Sequence, residues 1–400
     1  MENAVGEEIR GPLAGIRVLD FSTVIAGPLC AQILGDLGAE VIKVESPKGD
    51  TTRRFGAPKG GLSAFFAQLN RNKRSIVIDL KHREGQEVAQ RLARDCDVVL
   101  LNLRPGVADR LGIDYETLAA ANPGLVYAAV TGFGAEGPYS DQPAYDTVIQ
   151  GLVGFMRVQG HGDATMVASA VADKTTAMTA AYGILAALLA RERGGGIGQR
   201  IEIPMLDSWA AFILPDCLGS DTFLPEDPSL AVFDVSKIHR TWKTLDGEVV
   251  VIIIEDHHFS GLCQVIERPE IAADARYETL PSRMSHLPEL FADLEAAISQ
   301  WSTADLVARA QRFQVPLAPA NSVRDFIADP QAQANGIFVE CEDAESGRMR
   351  LIRNPVRFGS NAAKPNGVPP RLGADTDQIL REAGYDEGAI ASLRDGGTVA

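Results

Sequence analysis

Over the first third of the chain, short runs of consecutive apolar residues alternate with stretches in which apolar positions recur every three or four residues. The short runs are Arg17–Phe21, Ala39–Glu45, Ser75–Leu80, Asp97–Leu103 and Leu125–Thr131, and each reads as a strand. Between the first two, Gly27-Pro28 opens a helix that continues to Leu37-Gly38. Residues 83–94 place Val88, Ala89 and Leu92 on one face of another helix. Strands apolar on both faces and separated by amphipathic helices predict a parallel sheet covered on both sides. The expected fold class is therefore α/β.

The pattern changes near residue 208. Pro215, Pro225 and Pro228 interrupt an irregular acidic stretch that reads as a linker. Trp242–Ile254 has the form of a hairpin, with Asp246-Gly247 supplying the tight turn. Helical spacing returns near 257–266, 286–299 and 303–313. These elements outline a smaller α+β domain over 222–325, set into a larger domain formed by 1–221 and 326–400. The last part carries a strand pair around 337–341 and 348–353 and a short helix near 376–383. A chain of 400 residues agrees with two or three domains at about 150 residues each.

Composition narrows the function classes. The formal net charge of −15 opposes general nucleic-acid binding, although local basic islands still accommodate a polyanionic small molecule. Cys30, Cys96, Cys217, Cys263 and Cys341 are widely spaced and form no CxxC pair, which points to neither a zinc site nor a disulfide framework. The first residues are acidic and lack the apolar run of a signal peptide. The apolar stretch at 177–190, roughly 14 residues, is shorter than the about 20 that span a bilayer. The expected setting is cytoplasmic, with no membrane or nucleic-acid partner and no metal.

Asp173 is the main candidate for chemistry. It precedes Lys174-Thr175-Thr176 at the head of a helix whose apolar residues recur at 177, 181, 184, 185 and 188. A carboxylate there caps a helix, or acts as a nucleophile, or does both. The positive end of the helix dipole is expected to keep it ionised. Arg71, Lys73 and Arg74 form a basic island before one strand, and Arg104 and Arg110 follow another. Open α/β sheets bind ligands at the carboxyl ends of their strands, so these are either anion contacts or solvated loop charges. No GxGxxG or GxxxxGK[ST] motif occurs, which leaves dinucleotide and P-loop readings without local support.

Several segments, in order, resemble one family. Ala26-Gly27-Pro28, Leu37-Gly-Ala-Glu-Val-Ile-Lys-Val-Glu45, Asn70-Arg-Asn-Lys-Arg-Ser-Ile-Val-Ile-Asp-Leu-Lys81 and Asn102-Leu-Arg-Pro-Gly-Val-Ala-Asp-Arg-Leu-Gly112 are similar to signatures of the class III CoA-transferases, which include formyl-CoA and carnitine CoA-transferases. The stretch from Asp173 through Ala186–Arg191 to Gln199 and Asp207 resembles a further signature, and Pro370–Asp377 its closing motif. The resemblance implies a doubly wound, Rossmann-like large domain and an interlocked homodimer in which each chain threads its partner. It also implies transfer of coenzyme A, a co-substrate rather than a bound cofactor, from an acyl-CoA to a carboxylic acid. Asp173 would be the covalent nucleophile, with oxyanion donors drawn from the start of its own helix. Val24, Ile25, Ala26, Lys73, Arg74, Asn102, Leu103, Arg104 and Arg110 would contact CoA, and Tyr145 would orient the acyl group.

The chain also departs from that pattern. It lacks, between 208 and 260, the run of four glycines that closes over the intermediate in formyl-CoA transferase, and Ser46 stands where that enzyme has a basic residue. The related α-methylacyl-CoA racemases carry His-Asp where this chain has Tyr145-Asp146, and a tyrosine with its ordinary pKa near 10 is a poor partner for moving an α-proton. A racemase or epimerase and a catalytically idle acyl-CoA-binding homologue remain as alternatives. His161 reads as a loop residue. Arg157, His239 and Arg240 are open either as receivers of a second substrate carboxylate or as surface charges. A succinyl-CoA donor follows from family frequency alone.

Overall fold

A computed structural model describes residues 11–160, 163–224, 238–359 and 367–400. The chain divides into two compact units, one of Met1–Pro215 with Ala334–Ala400 and one of Asp216–Gln333.

The first unit is built on β1 (Arg17–Asp20), β2 (Glu40–Glu45), β3 (Lys73–Val77), β4 (Val98–Leu101), β5 (Val126–Thr131) and β6 (Gln199–Pro204). All neighbours pair in parallel, in the order β3-β2-β1-β4-β5-β6. The helices between them are α1 (Ala26–Asp36), α2 (Ala64–Leu69), α3 (Arg83–Arg94), α4 (Val107–Arg110), α5 (Tyr115–Ala121), α6 (Asp146–Leu152), α7 (Phe155–Gln159), α8 (Val171–Arg193) and α9 (Met205–Ile213).

Successive side chains of a strand point to opposite faces, so each apolar run feeds two cores. Val18, Val41, Val98, Leu100, Val126 and Ala128 pack into one, beneath α1 and α8. Leu19, Ile42, Val99, Leu101, Tyr127 and Ala129 pack into the other, beneath α3 and the C-terminal helices. This is why the strands read as continuous rather than alternating.

The order of strands reverses between β1 and β4, which leaves a crevice at their carboxyl ends. Two features fix what faces it. The buried side of α8 is made of small residues, among them Ala172, Thr176, Ala177, Ala180 and Ala181, so α8 lies close against α1. At the far edge, β3 is closed by the end of the chain. The Ser75 N–H donates to Asp375 Oδ2 (2.8 Å), the Val77 N–H to Thr376 Oγ1 (3.2 Å) and the Asp79 N–H to the Thr398 carbonyl (2.8 Å).

The second unit has an antiparallel sheet of β7 (Thr241–Lys243), β8 (Glu248–Val251) and β9 (Leu317–Pro319), with Asp246-Gly247 in the hairpin turn. Helices Asp256–Val265, Leu287–Ile298 and Thr303–Arg312 cover a core of Trp242, Val249, Phe259, Leu262, Leu290 and Leu294. Pro225 and Pro228 of the expected linker lie outside the described residues.

Candidate active site

The turn between β1 and α1 is held by buried charges. Lys73 Nζ donates to Asp20 Oδ2 (3.0 Å), to the Pro28 carbonyl (2.8 Å) and to Asn70 Oδ1 (2.9 Å). Lys43, fully buried in the middle of β2, donates to the Ser22 carbonyl (2.9 Å) and pairs with Asp50 (3.0 Å). Ser22 in turn bonds Asp20 through both its N–H and its hydroxyl. Burial pushes the Asp20 carboxyl up, but Lys73 and Lys43 outweigh it and hold the group below its ordinary value. Burial pulls the Lys73 ammonium down to about 8 against the attraction of Asp20.

This network supports a strained backbone. Val24, a β-branched residue, sits at φ 72°, where side chains are rarely accommodated, and its N–H faces the Asp50 carboxylate at 3.3 Å. Gly27 follows in close contact with Ser22, and a Cβ there would stand 2.2 Å from the Ser22 Cβ. The N-cap of α1, Ile25, offers no side-chain acceptor to the first turn.

The Asp173 carboxyl, half-buried in the first turn of α8, lies near the start of α1, where the Ala26 N–H favours its ionised form. The N–H groups of Ala172 and Asp173 are both taken by Asp146 Oδ1, at 2.7 and 3.1 Å. The helix start expected to supply oxyanion donors thus has these two N–H groups already partnered. The expected ionising effect of the dipole is overturned as well. Burial, and next the charge of Asp146, push the Asp173 carboxyl up to about 7 against the Ala26 N–H.

Asp173 opens into a cavity of about 190 Å³ at the carboxyl ends of β1, β4 and β5. Of the residues expected to contact CoA, Val24, Ala26, Asn102, Leu103 and Arg104 line it, together with Tyr145. Asn102 ties the two sides of the crevice together, accepting from the Thr23 N–H (2.9 Å) and donating to the Thr23 carbonyl (2.7 Å). The arrangement offers a carboxyl of raised pKa, the start of α1 near it and an open groove beside both.

Residues 13–376 match the sequence model of CoA-transferase family III. The chain belongs to CoA-transferase family III. It is 35% identical to the succinate–glutarate CoA-transferase of Agrobacterium fabrum, covering 93% of this chain and 95% of the relative. Identity to the human succinyl-CoA:glutarate CoA-transferase is 32%, over 97% of this chain and 90% of the relative. A formyl-CoA:oxalate CoA-transferase of Escherichia coli is 32% identical over 96% and 98%. Among solved structures, a CAIB/BAIF family protein from Brucella suis superposes with a TM-score of 0.81 at 34% identity, covering 94% of this chain and all of that one. The chain is thus a CoA-transferase.

Within this family III fold the remaining expected residues fall outside the cavity wall. Ile25 is buried as the N-cap of α1. Lys73 is buried, with its ammonium held by three acceptors. Arg74 pairs with Glu40 (2.8 Å) and Glu382 (2.7 Å), which turns its charge away from the cavity. Arg110 ends α4, exposed to solvent. Tyr145 is 66% exposed at the cavity. In the second unit Arg240 lies over the Trp242 ring (4.4 Å) and pairs with Glu295 (3.4 Å). His161 is outside the described residues. Asp146 and Gln150, not among the residues expected at the site, reach the start of α8 from α6, an Asp followed four positions later by Gln at a helix start. No group of three or more His, Cys, Asp or Glu side chains suited to a metal occurs among the described residues, and none of their helices is long and apolar enough to cross a membrane.

Proposed function

We propose that the enzyme moves CoA from an acyl-CoA donor to a carboxylic acid through covalent intermediates on Asp173. An Asp173 oxygen attacks the donor thioester carbon. A C–O bond forms and the C–S bond breaks, giving an aspartyl–acyl anhydride and CoA thiolate. The thiolate attacks the aspartyl carbonyl and expels the donor carboxylate, leaving a β-aspartyl-CoA thioester. The acceptor carboxylate then attacks that thioester, releasing the thiolate and forming the acceptor anhydride. The thiolate takes the acceptor acyl group and Asp173 is restored. No net proton is transferred, and the energy of the thioester is conserved.

The observation that carries this reading is the Asp173 carboxylate at the open crevice, lining it together with Ala26 at the start of α1. A donor at the positive end of α1 suits an oxyanion developing on the attacked carbon. For the acids, we infer short dicarboxylates such as succinate and glutarate. The printed activities of the Agrobacterium and human relatives support this, and the absent glycine run argues against carrying over formate or oxalate. An interlocked homodimer and a cytoplasmic location belong to the same proposal.

Incubation with succinyl-CoA and hydroxylamine, followed by peptide mapping, tests it. A hydroxamate or CoA adduct on the Asp173 peptide is the expected result. Transfer to glutarate that persists in Asp173→Ala removes the covalent reading.

A further inference from the structure

Asp146 does more than begin its own helix. Its Oδ1 accepts the Ala172 and Asp173 N–H groups at 2.7 and 3.1 Å, and its Oδ2 accepts Gln150 Nε2 at 2.6 Å. Gln150 is 1% exposed and is itself clasped. Its amide donates to the Val167 and Ser169 carbonyls (3.3 and 3.0 Å) and accepts from the Val167 N–H (3.1 Å). The clasp joins α6 to the segment that leads into α8.

A helix cap needs no more than an acceptor oxygen, and the neutral Ser, Thr and Asn serve as well as Asp. Here the cap is a carboxylate, and the second carboxylate, Asp173, faces the cavity. The other groups around Asp173 are the Ala26 N–H from α1 and, on the cavity wall, Arg104 and Tyr145. On its own helix Lys174 is turned to Ser169 Oγ (2.8 Å).

We infer that Asp146 is a positioning residue for the transferase nucleophile, fixing the first turn of α8 through its N–H groups and setting its own charge beside the attacking carboxylate. The inference rests on the reading of Asp173 as the nucleophile. Attack on a thioester needs the ionised form, but a more basic carboxylate is the better nucleophile, so the fixed charge exchanges ionised fraction at low pH for reactivity above it. Burial is the larger cause of the raised Asp173 pKa, and the charge of Asp146 is the next.

The test is the pH profile of kcat/KM for wild type, Asp146→Asn and Asp146→Glu. Substrate titrations are common to all three and cancel in the comparison. Asp146→Asn keeps an oxygen for the cap and removes the charge. Its acid limb is expected to move down by about one pH unit, and its plateau rate to fall about threefold. Asp146→Glu keeps the charge, so its limb is expected to stay near that of wild type while kcat falls through misplacement. If Asp146→Asn retains the wild-type limb and rate, Asp146 is a cap only and the proposal is overturned. If the Asn variant does not fold, a limb displaced to lower pH in Asp146→Glu overturns it. Hydroxylamine trapping on wild type separates the two ideas. A labelled Asp173 with an unmoved limb removes the positioning role alone, whereas an unlabelled Asp173 removes the nucleophile on which it rests.

Discussion

Asp173 sits where folding would rather have no charge. Its carboxyl holds a proton up to about pH 7 in the folded chain, whereas its ordinary value is 3.8. The native state therefore binds that proton more tightly than the unfolded chain. Its contribution to stability falls as pH rises from 3.8 to 7 and stays at the lower level above. Asp173→Asn removes this loss. The variant is expected to be inactive in transfer and more stable than wild type at pH 8 by about 2–4 kcal/mol. The difference should vanish near pH 4, and denaturant melts at the two pH values check it. The proposed nucleophile would thus weaken the fold around it, the familiar conflict between stability and activity.

The same scale shows what a sequence can reveal of a site. Asp173, Ala26, Asn102 and Arg104 were legible because each falls within a recognisable motif at a strand or helix end. The roles of Asp146 and Lys73 were not. Asp146 reaches α8 across 27 positions of chain, and Lys73 looks like surface charge until Asp20, 53 positions away, is folded against it.

Among the elements, β1 to β5 and α3 were readable because burial on both sheet faces writes itself as unbroken apolar sequence. β6, Gln-Arg-Ile-Glu-Ile-Pro, was not identified as a strand, since it lies at the sheet edge and only Ile203 is buried. Strand β3 begins two residues before its apolar run, because buried Lys73 takes the register opposite Val41 and extends the pairing. The turn before α1 is the element most exposed to damage. Lys73→Met leaves Asp20 buried without its main partner, and a stability loss of about 3–5 kcal/mol is expected. A mere rise in KM for acyl-CoA, with the denaturation midpoint unchanged, would show instead that Lys73 serves the ligand. Gly27→Ala forces the turn away from Ser22. It is expected to lower kcat at least about tenfold by displacing the Ala26 N–H, with a folding cost of about 1–3 kcal/mol. Steady-state kinetics beside circular dichroism separates the two effects.

For the whole molecule, the alternation of strands and helices forecast the α/β class, and the break near residue 208 forecast a second region of different texture. Its third strand, Leu317–Pro319, was too short and proline-bounded to be seen. The proposed interlocked dimer has its own consequence. A threaded chain cannot separate from its partner without unfolding, so sedimentation is expected to give a dimer at every dilution that retains native structure. A folded monomer at low concentration would refute the threading.

The closure of β3 by the last residues has a consequence during synthesis. Asp79 leaves the ribosome about 320 residues before Thr398, its backbone partner. At about 5–20 residues per second that interval lasts roughly 15–60 s. For all of it one margin of the parallel sheet has no strap, and an unpaired strand margin invites pairing with another nascent chain. The second unit, made in the meantime with a core of its own, can settle while the first is still waiting. Recovery of native protein should therefore depend on how crowded the polysomes are, and slower initiation should favour it.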